Sequence, residues 1–197
     1  MNLSAEKQPA DLQLTLFLKG DEAAYAYFYR LFVSDLFAYG KSLGGDEETL
    51  KDIVQEVFLS IFSSRISFAS PRHLKGYLLQ SVKNRLYDLY KSAAYRRACP
   101  LEAASGFALG VNVLDEMLDR EQQTLLKKKV EKLLSVLTDR QKEVLFLRYT
   151  QELEYEEIAR ILEMTEPGAR KLLSRAVKRL REEYGVLYVL ILCLIKM

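Results

Sequence analysis

The segment at residues 150–181 most constrains the fold, because it predicts two short helices joined by a tight turn, the second strongly basic. Thr165 suits an N-cap, and Pro167 lies in the first turn, where a missing N–H costs little. Five apolar residues then recur at i, i+3 and i+4 spacing and mark the core side: Ala169, Leu172, Leu173, Ala176 and Leu180. The exposed side carries Arg170, Lys171, Arg175, Lys178 and Arg179, with no carboxylate before Glu182.

A short helix packed against a basic one is the arrangement in which a helix-turn-helix presents its reading helix to the major groove of DNA. The alternative is an ordinary helix with a solvated charged face. An ordinary face usually interleaves glutamate with lysine, and this helix does not, so the pattern favours DNA binding.

Charge is distributed unevenly along the chain, although the net charge is only +2. The stretch at 72–97 holds one acid, Asp88, against seven cations: Arg72, Lys75, Lys83, Arg85, Lys91, Arg96 and Arg97. The stretch before it is acidic and contains Asp46, Glu47, Glu48, Asp52 and Glu56. Local fields matter more than their sum, so we predict an acidic surface for one partner and basic surfaces for another.

The chain offers little material for catalysis. Cys99 and Cys193 lie far apart, His73 is the single histidine, and no Gly-rich phosphate loop occurs. We therefore expect no cofactor, no metal site and no enzymatic activity; a helical enzyme using Asp52 and Glu56 is a distant alternative. The first residues have no apolar stretch of signal-peptide type, which predicts a cytoplasmic protein.

Helical periodicity dominates the rest of the sequence and predicts an all-α fold. Helices are expected at 11–18, 21–43, 46–62 and 70–97, and another opens at the capping-box sequence of 138–141. In the second helix, the inward residues should be Phe28, Leu31, Phe32, Leu36 and Tyr39.

Two small helical domains joined by a flexible linker follow from this pattern. We place the first at 1–98, the linker at 99–120 and the second, with the helix-turn-helix, at 121–184. An apolar tail at 185–197 is too short to span a membrane, which takes roughly 20 residues. It should pack on its own domain or a partner, with peripheral membrane contact as the alternative.

At this point the chain resembles the extracytoplasmic-function sigma factors of bacterial RNA polymerase. DIVQEVF at 52–58 looks like the D-x-V-Q-E-V-F signature of region 2, and KGYL at 75–78 with KNRLYD at 83–88 looks like its G-W-L … N-R-x-x-D pattern. LTDRQKEV at 137–144 is similar to the opening of region 4, and EIA at 157–159 and SRA at 174–176 match its helix-turn-helix. Tyr77 stands where the family usually has tryptophan.

The resemblance implies three binding surfaces. Asp52, Gln55 and Glu56 would dock core RNA polymerase. The loop at 63–70 and the helix after it would recognise the −10 promoter element, with one base flipped into a pocket beside the loop, through Arg72, Lys83, Asn84, Arg85 and Lys91. The reading helix would contact the −35 element through Arg170, Lys171, Ser174, Arg175 and Lys178.

Two of these residues have structural alternatives. Arg85 could form an intrahelical i, i+3 ion pair with Asp88, and Arg175 could bridge to Glu156 or Glu157 on the preceding helix.

The expected partners are core RNA polymerase, promoter DNA and an anti-sigma factor of the kind often held at the membrane. A helix-turn-helix regulator that binds DNA without the polymerase is the other reading of the chain. It would leave the two region 2 patterns unexplained.

Overall fold

The computed structural model describes residues 10–64, 66–92, 106–108 and 132–185. These residues form helices, turns and loops, and no strand occurs among them. Contacts between residues divide the chain into two compact units, with the main break between Ala104 and Ser105. The predicted all-α, two-domain architecture is confirmed. The proposed boundaries at 98, 99, 120 and 121 lie outside the described residues.

The first unit contains four helices: α1 (Ala10–Leu18), α2 (Glu22–Ser42), α3 (Glu47–Ser63) and α4 (Pro71–Lys91). Polar side chains fix where three of them begin, because each accepts a hydrogen bond from an otherwise unpaired backbone N–H of the first turn. Asp21 accepts from the Ala24 N–H at 2.8 Å, Asp46 from Thr49 at 2.9 Å and Ser70 from His73 at 3.1 Å. The bond from Thr49 also lowers the pKa of Asp46.

An aromatic cluster joins α1, α2 and α3. Phe17 meets Phe28 edge-on at 5.5 Å between ring centroids, and Tyr25 meets Phe62 at 4.9 Å and Phe58 at 5.9 Å. Offset and edge-to-face pairs of this kind add to the stabilisation from burial. Burial raises the pKa of Tyr25, since the phenolate is the form that loses its solvation.

Most of the predicted inward residues of α2 are buried, but Leu31 is not. Its side chain is 45% exposed, whereas Phe28 and Leu36 are fully buried. The buried stripe runs in i, i+4 steps from Ala24 to Leu36, which turns Leu31 away from the core. The prediction of an inward Leu31 was wrong.

Helix α4 ends earlier than predicted. Ser92 has extended backbone with ψ 142°, and its N–H bonds to the carbonyls of Asp88 and Leu89, which closes the last turn at Lys91. The sequence predicted continuation to about residue 97 because the basic residues there carry no stop signal; residues 93–97 lie outside the described ranges.

The second unit contains α5 (Asp139–Leu145), which continues into a π-helical turn (Phe146–Thr150), α6 (Tyr155–Ile161) and α7 (Glu166–Tyr184). The predicted capping box is present, since Thr138 and Gln141 each bond to the backbone N–H of the other. Thr165 caps α7 by accepting from the Gly168 N–H at 3.3 Å, as predicted. Helices α5 and α6 both pack against α7.

Part of the predicted linker belongs to the second unit's core. Phe107 is buried and meets Phe146 edge-on at 5.7 Å between ring centroids. The predicted tail at 186–197 lies outside the described residues. In the ranges that the structure describes, no helix has the length and apolar character needed to cross a membrane.

Two glycines make room for Leu50, the fully buried residue near the start of α3. A Cβ added at Gly40 would lie 2.3 Å from Leu50 Cδ2, and one added at Gly45 would lie 2.8 Å from the same atom. A side chain at either position would therefore force Leu50 to move at the junction between α2 and α3.

We expect Gly40→Ala to lower the free energy of unfolding by about 1–3 kcal/mol through overpacking, although alanine is the better helix former. Urea unfolding of the purified protein measures this. Adding Leu50→Ala should compensate, because the alanine methyl then occupies vacated space. Equal destabilisation by Gly40→Ala with and without Leu50→Ala would contradict the steric explanation.

Candidate nucleic-acid interfaces

The polar face of α3 carries the three residues predicted to bind the polymerase. Asp52, Gln55 and Glu56 are all exposed and lie at i, i+3 and i+4. The opposite face of the helix is buried through Ile53, Val54, Val57, Phe58 and Ile61. Burial of that stripe fixes the rotation of α3 and so holds the three polar side chains together on the outside.

An ion pair connects this face to α4. The Arg85 guanidinium lies 3.0 Å from the Glu56 carboxylate, and both side chains are about half exposed. The sequence offered Asp88 as the partner of Arg85, and the structure places Glu56 there instead. Sequence spacing identifies partners within one helix, whereas this pair depends on how α3 and α4 pack. Glu56 of the predicted polymerase-binding set and Arg85 of the predicted −10 set therefore bind each other.

A cavity of about 260 Å³ opens between the C-terminal half of α3, the following loop and α4. Its lining is mostly polar and includes Ser60, Ser64, Tyr77, Ser81, Asn84, Arg85 and Asp88, with Val57, Ile61 and Ile66 as the apolar part. Asn84 and Arg85 were predicted as −10 contacts and lie in this wall. The serines, Tyr77 and Asp88 were not, because their shared position depends on the packing of two helices.

The other three residues of the predicted −10 set lie outside the cavity lining. Arg72 and Lys91 are exposed near the two ends of α4. Lys83 is half-buried, and its ammonium lies 5.7 Å from the centre of the Tyr87 ring. The set is therefore spread along α4 rather than gathered at one point.

The five predicted −35 residues, Arg170, Lys171, Ser174, Arg175 and Lys178, all lie on the exposed side of α7. Its opposite side is buried at Ala169, Leu173, Ala176 and Leu180. Lys178 lies 3.5 Å from Glu182 one turn later. The predicted bridge from Arg175 to α6 does not form: Glu156 pairs with Arg160, Glu157 is buried, and within the described ranges Arg175 makes no ion pair.

Tyr155 was missed by sequence reasoning, yet it joins the N-termini of α6 and α7. Two guanidinium groups lie over its ring, Arg170 at 4.2 Å and Arg148 at 5.0 Å from the ring centre. Arg170 also bonds to Glu166 at 2.6 Å. The attraction between a guanidinium and the face of an aromatic ring adds to this contact, and Nε and Nη2 of Arg170 both donate to Glu166. Arg170 is therefore held in a defined position at the start of α7.

Arg148 fastens the loop that leads into α6. It donates to the Leu153 carbonyl at 2.7 Å and to the Glu154 carboxylate at 3.1 Å. Glu154 begins α6 without capping it through its side chain. The Arg148 guanidinium thus holds Leu153 and Glu154 in place just before α6. It does so at a helix start that has no side-chain N-cap.

Comparison with known proteins places both units in one family. Residues 28–96 match Sigma-70 region 2, and residues 127–180 match Sigma-70, region 4. SigM of Bacillus subtilis, an ECF RNA polymerase sigma factor, is 24% identical over 157 residues, which cover 80% of this chain and 93% of SigM.

Two further relatives match over part of their length. RfaY of Xanthomonas campestris pv. campestris, a probable RNA polymerase sigma factor, is 23% identical over 164 residues, or 83% of this chain and 41% of RfaY. FliA of Escherichia coli K12, an RNA polymerase sigma factor, is 38% identical over 76 residues, or 39% of this chain and 30% of FliA.

We expect Arg148→Ala to destabilise the second unit by about 1.5–3 kcal/mol, the range for hydrogen bonds to charged groups. Arg148→Lys should recover only part of this, because an ammonium cannot bond two acceptors in a fork and stack at once. Chemical denaturation followed by circular dichroism measures the loss. Lys178→Ala, which removes an exposed i, i+4 pair, is the control and should change stability little. Equal effects of the two alanine variants would contradict the fastening role.

Proposed function

This chain belongs to the sigma-70 family and is an extracytoplasmic-function sigma factor, and we propose a specific division of labour among its exposed surfaces. Sigma factors bind core RNA polymerase and promoter DNA, and as a family they are not enzymes. The observation that carries the proposal is the order of the two matched regions on two separate units, each with an exposed polar or basic face.

The acidic face of α3 is our proposed docking surface for core polymerase. Asp52, Gln55 and Glu56 form a compact patch suited to a basic partner. Electrostatic complementarity of this kind raises the association rate and selects the partner. Within this patch Glu56 is paired with Arg85, Asp52 has no described ion pair, and Gln55 is uncharged.

The cavity between α3 and α4 is our proposed site for a flipped base of the −10 element. Flipping a base costs a few kcal/mol, which stacking and hydrogen bonds to the base edge must offset. Tyr77 offers an aromatic surface, and the Asn84 amide both donates and accepts hydrogen bonds. At about 260 Å³ the cavity is smaller than a drug-sized ligand site of roughly 300–1,000 Å³, which suits a single base.

Phosphate contacts along α4 are proposed for Arg72, Lys83 and Lys91. Cations outside the cavity can follow the backbone of the DNA strand while the cavity holds one base. Phosphate contacts of this kind position the nucleic acid and carry no sequence information by themselves. Arg85 lines the cavity and we place it beside the flipped nucleotide.

The exposed side of α7 is our proposed −35 reading surface. An arginine can bond guanine O6 and N7 together, and each such pair discriminates by about 1–3 kcal/mol. Arg170, held by Tyr155 and Glu166, is preorganised for such a contact. Arg175 and Ser174 lie one turn further along the same side, and Lys171 and Lys178 are placed to neutralise phosphates.

The remaining proposals concern where and with what the protein works. We propose that it acts in the cytoplasm, that it catalyses no bond chemistry itself, and that an anti-sigma factor, free or membrane-bound, covers one of these surfaces. We also propose domains at 1–98 and 121–184 with a linker at 99–120, of which Phe107 packs in the core of the second unit. The family membership and the two-unit architecture support them.

The direct experiment combines the purified protein with a cognate core RNA polymerase. Co-elution on size-exclusion chromatography, with new promoter-specific transcripts from genomic fragments, is the expected result. Sequence-specific binding to DNA without any association with the polymerase would favour a regulator instead.

We expect Asp52→Lys with Glu56→Lys to abolish co-elution with core polymerase while leaving the fold intact, because the patch becomes basic. Asp52→Lys with Gln55→Lys should act alike and keeps the Glu56–Arg85 pair. The control is Glu182→Lys with Glu183→Lys, which makes the same change in net charge as the first double variant at the end of α7. Undiminished binding by both α3 variants would remove this surface from the proposal.

Binding of −35 DNA should weaken steeply as salt rises, with a log–log slope of about −0.9 for each phosphate contact. Fluorescence anisotropy on a labelled −35 duplex over a salt series measures the slope. Lys171→Gln should make the slope shallower by about one contact at every sequence, whereas Arg170→Gln should lower affinity chiefly for the preferred sequence. An affinity that does not respond to salt would contradict the whole reading surface.

A further inference from the structure

Among the described residues that line the cavity between α3 and α4, Asp88 is the one acid. It lies one helical turn after Asn84 and on the same side of α4, so both side chains can reach a ligand in the cavity. Asp88 is the last residue of the N-R-x-x-D pattern, and the sequence suggested for its side chain only a possible ion pair with Arg85.

Arg85, one turn before Asp88 on α4, is engaged elsewhere. Arg85 binds Glu56 at 3.0 Å, and among the described residues the Asp88 side chain has neither an ion pair nor a hydrogen bond. Asp88 is exposed and lines the cavity.

The position of Asp88 also makes a stabilising role unfavourable. It lies in the last turn of α4, which ends at Lys91. The carbonyls at a helix C-terminus carry partial negative charge, and a carboxylate there is repelled. A carboxylate that costs stability and has no described partner is more readily explained by binding than by folding.

We propose that Asp88 makes the cavity select a base that carries an amino group where the keto bases carry O6 or O4, namely cytosine or adenine. This rests on the proposed role of the cavity as the site of a flipped −10 base. A carboxylate only accepts hydrogen bonds, so it pairs with the amino N–H of cytosine N4 or adenine N6. The carbonyl oxygens of guanine O6 and thymine O4 would face it with no proton between them.

Asn84 completes the recognition. Its amide can donate to the ring nitrogen next to the amino group, which is N3 in cytosine and N1 in adenine. Asp88 and Asn84 then read a donor and an acceptor side by side, a pattern that keto bases reverse. Tyr77 in the same wall offers the stacking surface that any base accepts.

The test uses holoenzyme reconstituted from core polymerase and the full chain. It is presented with fork-junction promoter DNA whose single-stranded −10 region is randomised, and the bound sequences are determined. The wild type should enrich cytosine or adenine at one position. Asp88→Asn should reduce that preference roughly ten-fold, a typical loss for one base contact, and leave the other positions unchanged. Asp88→Glu, which keeps the carboxylate, should retain the preference.

A chemical probe removes ambiguity about the contact. At the selected position, cytosine is replaced by 2-pyrimidinone, or adenine by purine, so that hydrogen stands where the amino group was. Binding to wild-type holoenzyme should fall by about the same ten-fold, and binding to the Asp88→Asn holoenzyme should not change. Equal losses for both proteins would overturn the proposed contact.

Thermal unfolding separates recognition from folding. Asp88→Asn should keep or raise Tm, since it removes an anion from a helix C-terminus. A lower Tm together with equally weakened binding to every sequence would overturn the proposal in favour of a structural role. A wild-type holoenzyme that selects no −10 motif would refute the function of the cavity itself. A motif that Asp88→Asn leaves unchanged would refute only the role of Asp88.

Discussion

The packing of α3 against α4 is the constraint on which the first unit's proposed surfaces depend. One apolar stripe on α3, from Leu50 to Ile61, is buried and fixes the rotation of the helix. That rotation turns Asp52, Gln55 and Glu56 outward and brings Glu56 to Arg85 across the helix pair. The same packing leaves the cavity where the C-terminal half of α3 diverges from α4. The proposed polymerase-docking patch and the cavity proposed for a base thus both follow from one buried interface.

The second unit holds a basic helix, α7, with its cations exposed and partly ordered. Its apolar side packs on α5 and α6. Cations alone on a solvated face would be mobile, and ordering them on binding costs conformational entropy. Tyr155 lowers this cost for Arg170 by offering its ring, and Arg148 also lies over this ring. The first residue of α6 therefore helps to order part of the proposed reading surface before DNA binds.

Sequence reasoning succeeded where a pattern is local and failed where distance along the chain is large. The N-caps Thr138 and Thr165 were found, because a cap acts three residues away. Leu31 was misplaced because a stripe in i, i+4 steps drifts around the helix, and the drift is fixed only by what packs against it. Arg85 was predicted to contact DNA, and the alternative was an ion pair with Asp88 because that acid is near in sequence, whereas Glu56 is near in space.

The sequence by itself determined the helices, their buried stripes and the ordered motifs that identify a sigma factor. These follow from periodicities of a few residues, which the backbone geometry of a helix imposes locally. Only the tertiary structure decided that Glu56 pairs with Arg85 and that Asp88 and three serines line one cavity. It also decided that two guanidinium groups lie over the Tyr155 ring. Each of these depends on the relative rotation and separation of two helices. Those quantities are set by the packing of whole apolar faces, and no short spacing in the chain encodes them.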